Sequence, residues 1–132
     1  MEILFKKGIL AFEELRKFSL DDIDNDEIFK VLQSKEDKDI GLVVVSPYAI
    51  KEDYEIDIPD EVVKSLEIEK PKDVMLLTTV TLNSQISKTT TNLRAPIVIN
   101  IKKNLGEQII LPNEKYKIKH PITERWGHVS YY

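Results

Sequence analysis

The sequence predicts an antiparallel all-β domain with a short helix, and three observations carry the prediction. Beta-branched and apolar residues arrive in short runs separated by polar turns, the pattern of strands rather than of helical hairpins. One run, Ile40-Gly41-Leu42-Val43-Val44-Val45, is unbroken by charge, and another, Asp53-Tyr54-Glu55-Ile56-Asp57-Ile58, alternates strictly between carboxylates and apolar side chains. With 132 residues, 42% of them hydrophobic, there is material for one compact core and too little for two, so a single domain is expected.

Taken in order, Glu27 to Leu32 and Ile40 to Val45 form a first hairpin across the polar stretch Ser34 to Asp39. The uncharged second strand is expected to be covered on both faces. After Pro47, the alternating segment Asp53 to Ile58 puts Tyr54, Ile56 and Ile58 on one face and three carboxylates on the other, a half-exposed acidic strand. Pro59 to Leu66 opens on acidic residues and sets Val62 and Val63 at helical spacing from Leu66, which predicts a short helix; Pro71 closes the region. Val74 to Leu82 reads as a long strand with its threonines outward, and Asn83 to Thr91 as a polar loop. Arg94 to Ile101 pairs with Gln108 to Leu111 around Lys103 to Gly106, where Gly106 supplies a positive φ. Pro96 has no N–H for a ladder, so it marks an edge or a bulge, and an edge is where another chain can add its backbone. Residues 1–122 make up the domain, and Thr123 to Tyr132 reads as a C-terminal tail.

Composition narrows the function classes. The chain has no cysteine, which excludes disulfides and thiolate metal or redox chemistry and favours a reducing compartment. Met1 to Lys7 reaches charge too soon for a secretory signal, and no run approaches the roughly 18 apolar residues of a membrane span, so the expected address is cytoplasmic. The net charge of −4 conceals a gradient: residues 1–73 hold 20 acidic against 11 basic side chains, residues 74–132 only 3 against 8. If the fold keeps these regions apart, the acidic side would speed encounter with a basic partner. A general nucleic-acid surface needs a concentrated basic face instead.

Catalytic constellations are not in evidence. The histidines, His120 and His128, stand beside no nucleophile elbow, and Pro121 and Gly127 deny them, with Glu124, a rigid metal-binding scaffold. The cluster Asp21-Asp22-Ile23-Asp24-Asn25-Asp26 lacks the central glycine and closing glutamate of a calcium loop and reads as a solvated loop. No G-x-G cradle offers a nucleotide site, and no cofactor is expected. Lys115, Lys117, Lys119, His120 and Arg125 with Tyr116 and Trp126 form the one stretch where RNA contact is conceivable, which makes a nucleic-acid-binding β-barrel the alternative; an exposed edge strand protected by lysines explains it better.

Thr90-Thr91-Asn92-Leu93-Arg94-Ala95-Pro96-Ile97-Val98-Ile99-Asn100 resembles the T-x-N-L-x-A-P-I-x-x-N signature of the FliW family of flagellar assembly factors. Gly8-Ile9 with Phe12-Glu13, Leu32-Gln33-Ser34, Pro47, Asp53-Tyr54, Pro71 with Asp73-Val74, Gly106 with Gln108 to Leu111, and Tyr116 before His120-Pro121 stand in the family's order, so the resemblance spans about Glu2 to Ile122. It implies a small antiparallel β-barrel-like fold with one or two short helices, monomeric on its own and non-enzymatic. It further implies a protein that holds flagellin in the cytoplasm and, when free, takes the RNA-binding regulator CsrA off the flagellin message. Ala11 stands where the family commonly has glycine, from which no positive φ is expected there.

Candidate partner-binding residues are Phe12, Tyr54, Asn92, Leu93, Pro96, Ile97 and Asn100. Two readings compete for the signature. In one, Leu93, Ile97 and Ile99 are core, and the asparagines satisfy local backbone. In the other, an irregular edge and the turn at Phe12 offer apolar anchors and free amides to a partner, with the acidic segment Asp53 to Asp57 as a second surface.

Overall fold

Residues 1–23 and 26–122 are described by the computed structural model. The elements run β1 (Glu2–Phe5), β2 (Lys17–Ile23), β3 (Asp26–Ser34), β4 (Gly41–Val45), α1 (Pro47–Ile50), α2 (Asp60–Ser65), β5 (Val74–Thr81), β6 (Thr90–Thr91), β7 (Ile97–Asn100), β8 (Leu105–Gln108) and β9 (His120–Pro121). Seven strands, in the order β4-β3-β2-β1-β8-β7-β5, close into a barrel when β5 returns to β4 through Val44↔Thr79 and Val45↔Thr78. β1 runs parallel to β8, and the other described pairings are antiparallel. From the far end of β5 hang β6 and β9. The expected β-barrel-like class is what the chain adopts.

Strand alternation divides the apolar residues between two cores. Ile3, Phe5, Phe18, Leu20, Leu32, Val44, Leu77, Ile97 and Ile99 fill the barrel, where the Phe5 and Phe18 rings meet edge to face, 5.5 Å apart. Outside the wall, Val62 and Leu66 of the α2 region and Tyr54 pack on Leu76, Leu93, Val98, Leu105 and Tyr116. Ile97 and Ile99 thus point inward and Val98 outward, and β7 is buried on both faces.

The β3–β4 hairpin, α2 and β5 lie where the periodicity places them. Ser34 shapes the hairpin loop, its hydroxyl accepting from the N–H groups of Glu36 (3.1 Å) and Asp37 (3.0 Å).

Seven expectations are corrected. β7 is not an edge, because barrel closure gives it β5 on one side and β8 on the other; Pro96 sits one residue before the strand, where its missing N–H costs nothing, and its carbonyl accepts from Ile109 N–H. The partner strand begins at Leu105, not Gln108, so the turn is 101–104 and Asn104 takes the positive φ (58°). Gly106 lies within β8 with φ outside that region; a Cβ there would stand 2.4 Å from the Phe5 ring. Residues 53–58 keep their alternating burial but join no ladder. Asp21 and Asp22 belong to β2 rather than a loop, and 112–119 turns and bends instead of forming a lysine-flanked strand. Thr78 is not exposed: it lies fully buried beneath β6, its hydroxyl accepting from that of Thr91 at 2.7 Å.

Candidate partner-binding surface

The signature asparagines turn out to be backbone organisers. Asn92 Oδ1 accepts from the N–H groups of Arg94 (3.0 Å) and Ala95 (3.2 Å), turning the chain ahead of β7. Asn100 accepts from Lys102 and Lys103 N–H at 3.0 and 3.2 Å and donates to the carbonyls of Leu66 (2.8 Å) and Glu67 (3.1 Å), closing the 100–103 turn and capping the C-terminal end of α2. Leu93, Ala95, Pro96, Ile97 and Asn100 are buried, and Asn92 is half-buried. Of the two readings, core packing and local satisfaction describe this segment; open docking edge does not.

Tyr54 and Phe12 stand differently. Tyr54 is buried but lies under a surface: its hydroxyl donates to Leu93 O at 2.7 Å, and its ring meets exposed Tyr48 edge to face at 5.9 Å and Tyr116 at 4.5 Å. Burial, with some help from Tyr116 and Tyr48, holds its phenol above the ordinary tyrosine range, so it stays a neutral donor. Tyr116 in turn exchanges hydrogen bonds with the Glu55 backbone, accepting from N–H at 2.8 Å and donating to C=O at 3.1 Å. Side-chain hydroxyls therefore fasten the 53–58 segment where a ladder was expected.

Phe12 is half-buried in the turn after β1. Gly8 (φ 69°) starts that turn, and a Cβ there would lie 2.2 Å from the Glu13 carbonyl oxygen. Contrary to expectation, Ala11 also takes a positive φ, 74°: the Ile9–Phe12 backbone bridge closes a tight turn that holds it left-handed without glycine. Leu10 N–H donates to Gln108 Oε1, and Gln108 Nε2 donates to Ala95 O, both at 3.0 Å, so one amide joins this turn to the signature segment.

What solvent meets is a face built by α1, residues 51–59 and residues 111–116. Tyr48, 46% exposed, leads a tyrosine row that ends at Tyr116, with Lys115 Nζ 5.3 Å from the Tyr116 ring centre. Exposed carboxylates of Glu52, Asp53, Glu55, Asp57, Asp60 and Glu61 border it. A groove of about 510 Å³ lies between Glu55, Ile56, Asp57 and Pro59 on one bank and Leu111, Pro112, Asn113, Lys115 and Tyr116 on the other. Tyr48 and Tyr116 were missed as binding candidates because nothing in one dimension places them beside Tyr54. Basic Lys115 lines the same groove as acidic Glu55 and Asp57, so the two halves of the chain meet at this face. Glu124, Arg125, Trp126 and His128, and with them the expected tail, lie outside the described residues.

No described helix is long and apolar enough to cross a membrane. The family model described as FliW protein matches residues 1–122. Among curated relatives named flagellar assembly factor FliW, that of Clostridium beijerinckii is 56% identical over 120 residues, covering 91% of this chain and 85% of the relative. Those of Clostridium novyi, at 55% (91% and 84% covered), and Clostridium tetani, at 52% (92% and 84%), are close behind. A crystal structure of the flagellar assembly factor FliW superposes with a TM-score of 0.85 at 38% identity, covering 92% of this chain and 84% of that one.

Proposed function

The chain belongs to the FliW family of flagellar assembly factors, and from that premise we propose that it is a cytoplasmic partner-switching protein. It binds flagellin and, once flagellin has left, binds the translational regulator CsrA and relieves repression of flagellin synthesis, making and breaking no covalent bond. It acts as a monomer through its folded domain, residues 1–122.

The observation that carries this reading is the tyrosine row beneath an acidic rim. Exposed Tyr48, braced by the buried rings of Tyr54 and Tyr116, supplies a rigid aromatic anchor at little entropic cost, and the carboxylates accelerate capture of a basic protein such as an RNA-binding regulator. Tyr48 forms the centre of the contact with Tyr54 buried beneath it as support, Phe12 adds an apolar anchor at a second turn, and Asn92, Leu93, Pro96, Ile97 and Asn100 contribute by holding that surface in shape. Direct nucleic-acid binding fits less well, because Lys115 shares its groove with carboxylates that would repel phosphate.

Titration of purified CsrA and flagellin against Tyr48→Ala and the double variant Asp53→Lys/Asp57→Lys tests the assignment. Tyr48→Ala should weaken binding about tenfold or more, the scale of an aromatic hot spot. The double variant should slow CsrA association and flatten its salt dependence. Unchanged affinities and rates in both would remove this face from the interface.

A further inference from the structure

The barrel closes over only part of β5. β4 meets it at Val44↔Thr79 and Val45↔Thr78, and continuing that register would set Pro47 opposite Leu76, where proline has no N–H to give; the chain turns into α1 instead. Val74 to Leu77 therefore keep a described ladder on β7 alone. Beside them lies a notch of about 390 Å³. Its walls are these four β5 residues, Ser46, Tyr48 and Ala49 around the start of α1, and Ile28 and Lys30 of β3, with the Lys30 ammonium held by the Asp22 carboxylate.

The register decides which backbone groups face the notch. Ile101 N–H donates to Asp73 O at 2.9 Å, which makes Asp73 and Ile101 a hydrogen-bonded pair on the register of β5 and β7. Such pairs alternate along an antiparallel ladder, so Met75↔Ile99 and Leu77↔Ile97 are the next bonded pairs, and Val74 and Leu76 turn their N–H and C=O away from β7. Away from β7 is toward the notch. Among the described residues, no group bonds these two N–H and two C=O groups. They recur roughly 7 Å apart, the spacing at which a further strand presents its own.

We propose that this notch is a strand-addition site, where an extended segment of another protein takes the place that β4 vacates and pairs antiparallel with β5 through Val74 and Leu76. The chemistry of the ligand follows from the walls: a peptide backbone free to give and accept hydrogen bonds, with apolar side chains turned toward Ile28, Ala49, Met75 and Leu77. A helix does not fit, because its backbone groups are bonded internally. A second copy of this chain cannot use the same edge, since that edge is recessed between its own β3 and α1 and two recesses do not meet. The recess also keeps so short an edge from templating open-ended pairing. The site shares Tyr48 with the partner reading above and is otherwise independent of it.

The probe is a fluorescein-labelled peptide of alternating valine and threonine with a lysine at each end, titrated into the full-length protein by fluorescence anisotropy while amide exchange is followed by NMR. In the free protein the Val74 and Leu76 amides should exchange at least tenfold faster than those of Met75 and Leu77, and saturating peptide should slow both at least tenfold. The same peptide N-methylated throughout should bind at least tenfold more weakly. Ala49→Arg, which fills the notch from α1, and Ile28→Arg, which fills it from β3, should do the same to the unmodified peptide with the far-ultraviolet circular dichroism unchanged. No saturation at millimolar peptide, equal binding of the N-methylated form, or full binding by either folded variant would overturn the proposal. A Leu76 amide that exchanges as slowly as its neighbours in the free protein would also overturn it, as would protection of Val74 and Leu76 that rises with protein concentration alone, which assigns the notch to a second copy. None of these readouts involves flagellin or CsrA, so failure here leaves the partner reading standing.

Discussion

Replacing Asn100 by alanine separates a structural role from a binding role at the most prominent signature position. The side chain, 1% exposed, makes four hydrogen bonds: two donated to the Leu66 and Glu67 carbonyls just past α2 and two accepted from the following turn. Each contributes about 1 kcal/mol net, and truncation also leaves Leu66 O without its 2.8 Å donor in a buried setting. A loss of about 3 kcal/mol follows once some of the exposed turn groups turn to water, which for a domain of this size lowers Tm by roughly 10 °C. Urea unfolding monitored by circular dichroism measures it, alongside the half-buried Asn92→Ala, where two bonds to N–H groups predict a loss of about 1 kcal/mol. Affinity for flagellin or CsrA, corrected for the folded fraction, should be unchanged in both. Wild-type stability with weakened binding in Asn100→Ala would refute the reasoning and return this amide to the interface.

The other perturbations act on backbone, packing and charge. Ala11→Gly should stabilise by about 0.5–1 kcal/mol, because relief of a left-handed alanine outweighs the entropy added to the unfolded chain; a lower urea midpoint would contradict the assigned φ of 74°. Gly106→Ala drives a methyl against the buried Phe5 ring and should cost about 1–3 kcal/mol, partly recovered by Phe5→Leu in the same chain; absence of that recovery in a double-mutant cycle would break the proposed contact. Glu36 accepts from Lys17 N–H (2.9 Å) and Arg16 N–H (2.6 Å), and these bonds hold its carboxyl below the usual 4.5. A depressed folded-state value means that its contribution is present above pH 4.5 and is lost as pH falls through the lower folded value. Glu36→Gln should therefore flatten the acid limb of the stability profile, and an unchanged limb would count against the loop anchor.

Local pattern carried the elements whose neighbours are near in sequence. The alternation across Asp53 to Ile58 and the spacing of Val62 with Leu66 each report a face that is occupied as expected, whereas the unbroken Ile40 to Val45 run is covered on both faces only at Val44 and Val45, with Gly41 exposed and Leu42 and Val43 half-buried. Misreadings arose where a residue answers to something distant. Gly106 looked like a turn residue until Phe5, about a hundred positions away, claimed the space over it. Pro96 read as an edge because nothing local reveals that β8 and β5 will flank β7.

The partner-binding residues follow the same division. The Asn92 to Asn100 signature was legible because its spacing is unusual, and it identified the family. Its physical task was not legible, because the carbonyls that Asn100 binds, of Leu66 and Glu67, follow α2 more than thirty residues earlier. Tyr48, Tyr54 and Tyr116 become one row only when α1, the 53–58 segment and the 112–119 turns converge on the barrel's outer wall.

By itself, then, the order of amino acids determined the fold class, the short helix and the family, since periodicity and motif spacing are properties of neighbouring residues. Tertiary structure alone decided which strands have edges, which glycine and proline are constrained by packing, and which aromatic side chains stack in one row. Those follow from closing seven strands into a ring, a pairing between distant segments that leaves no mark on local sequence.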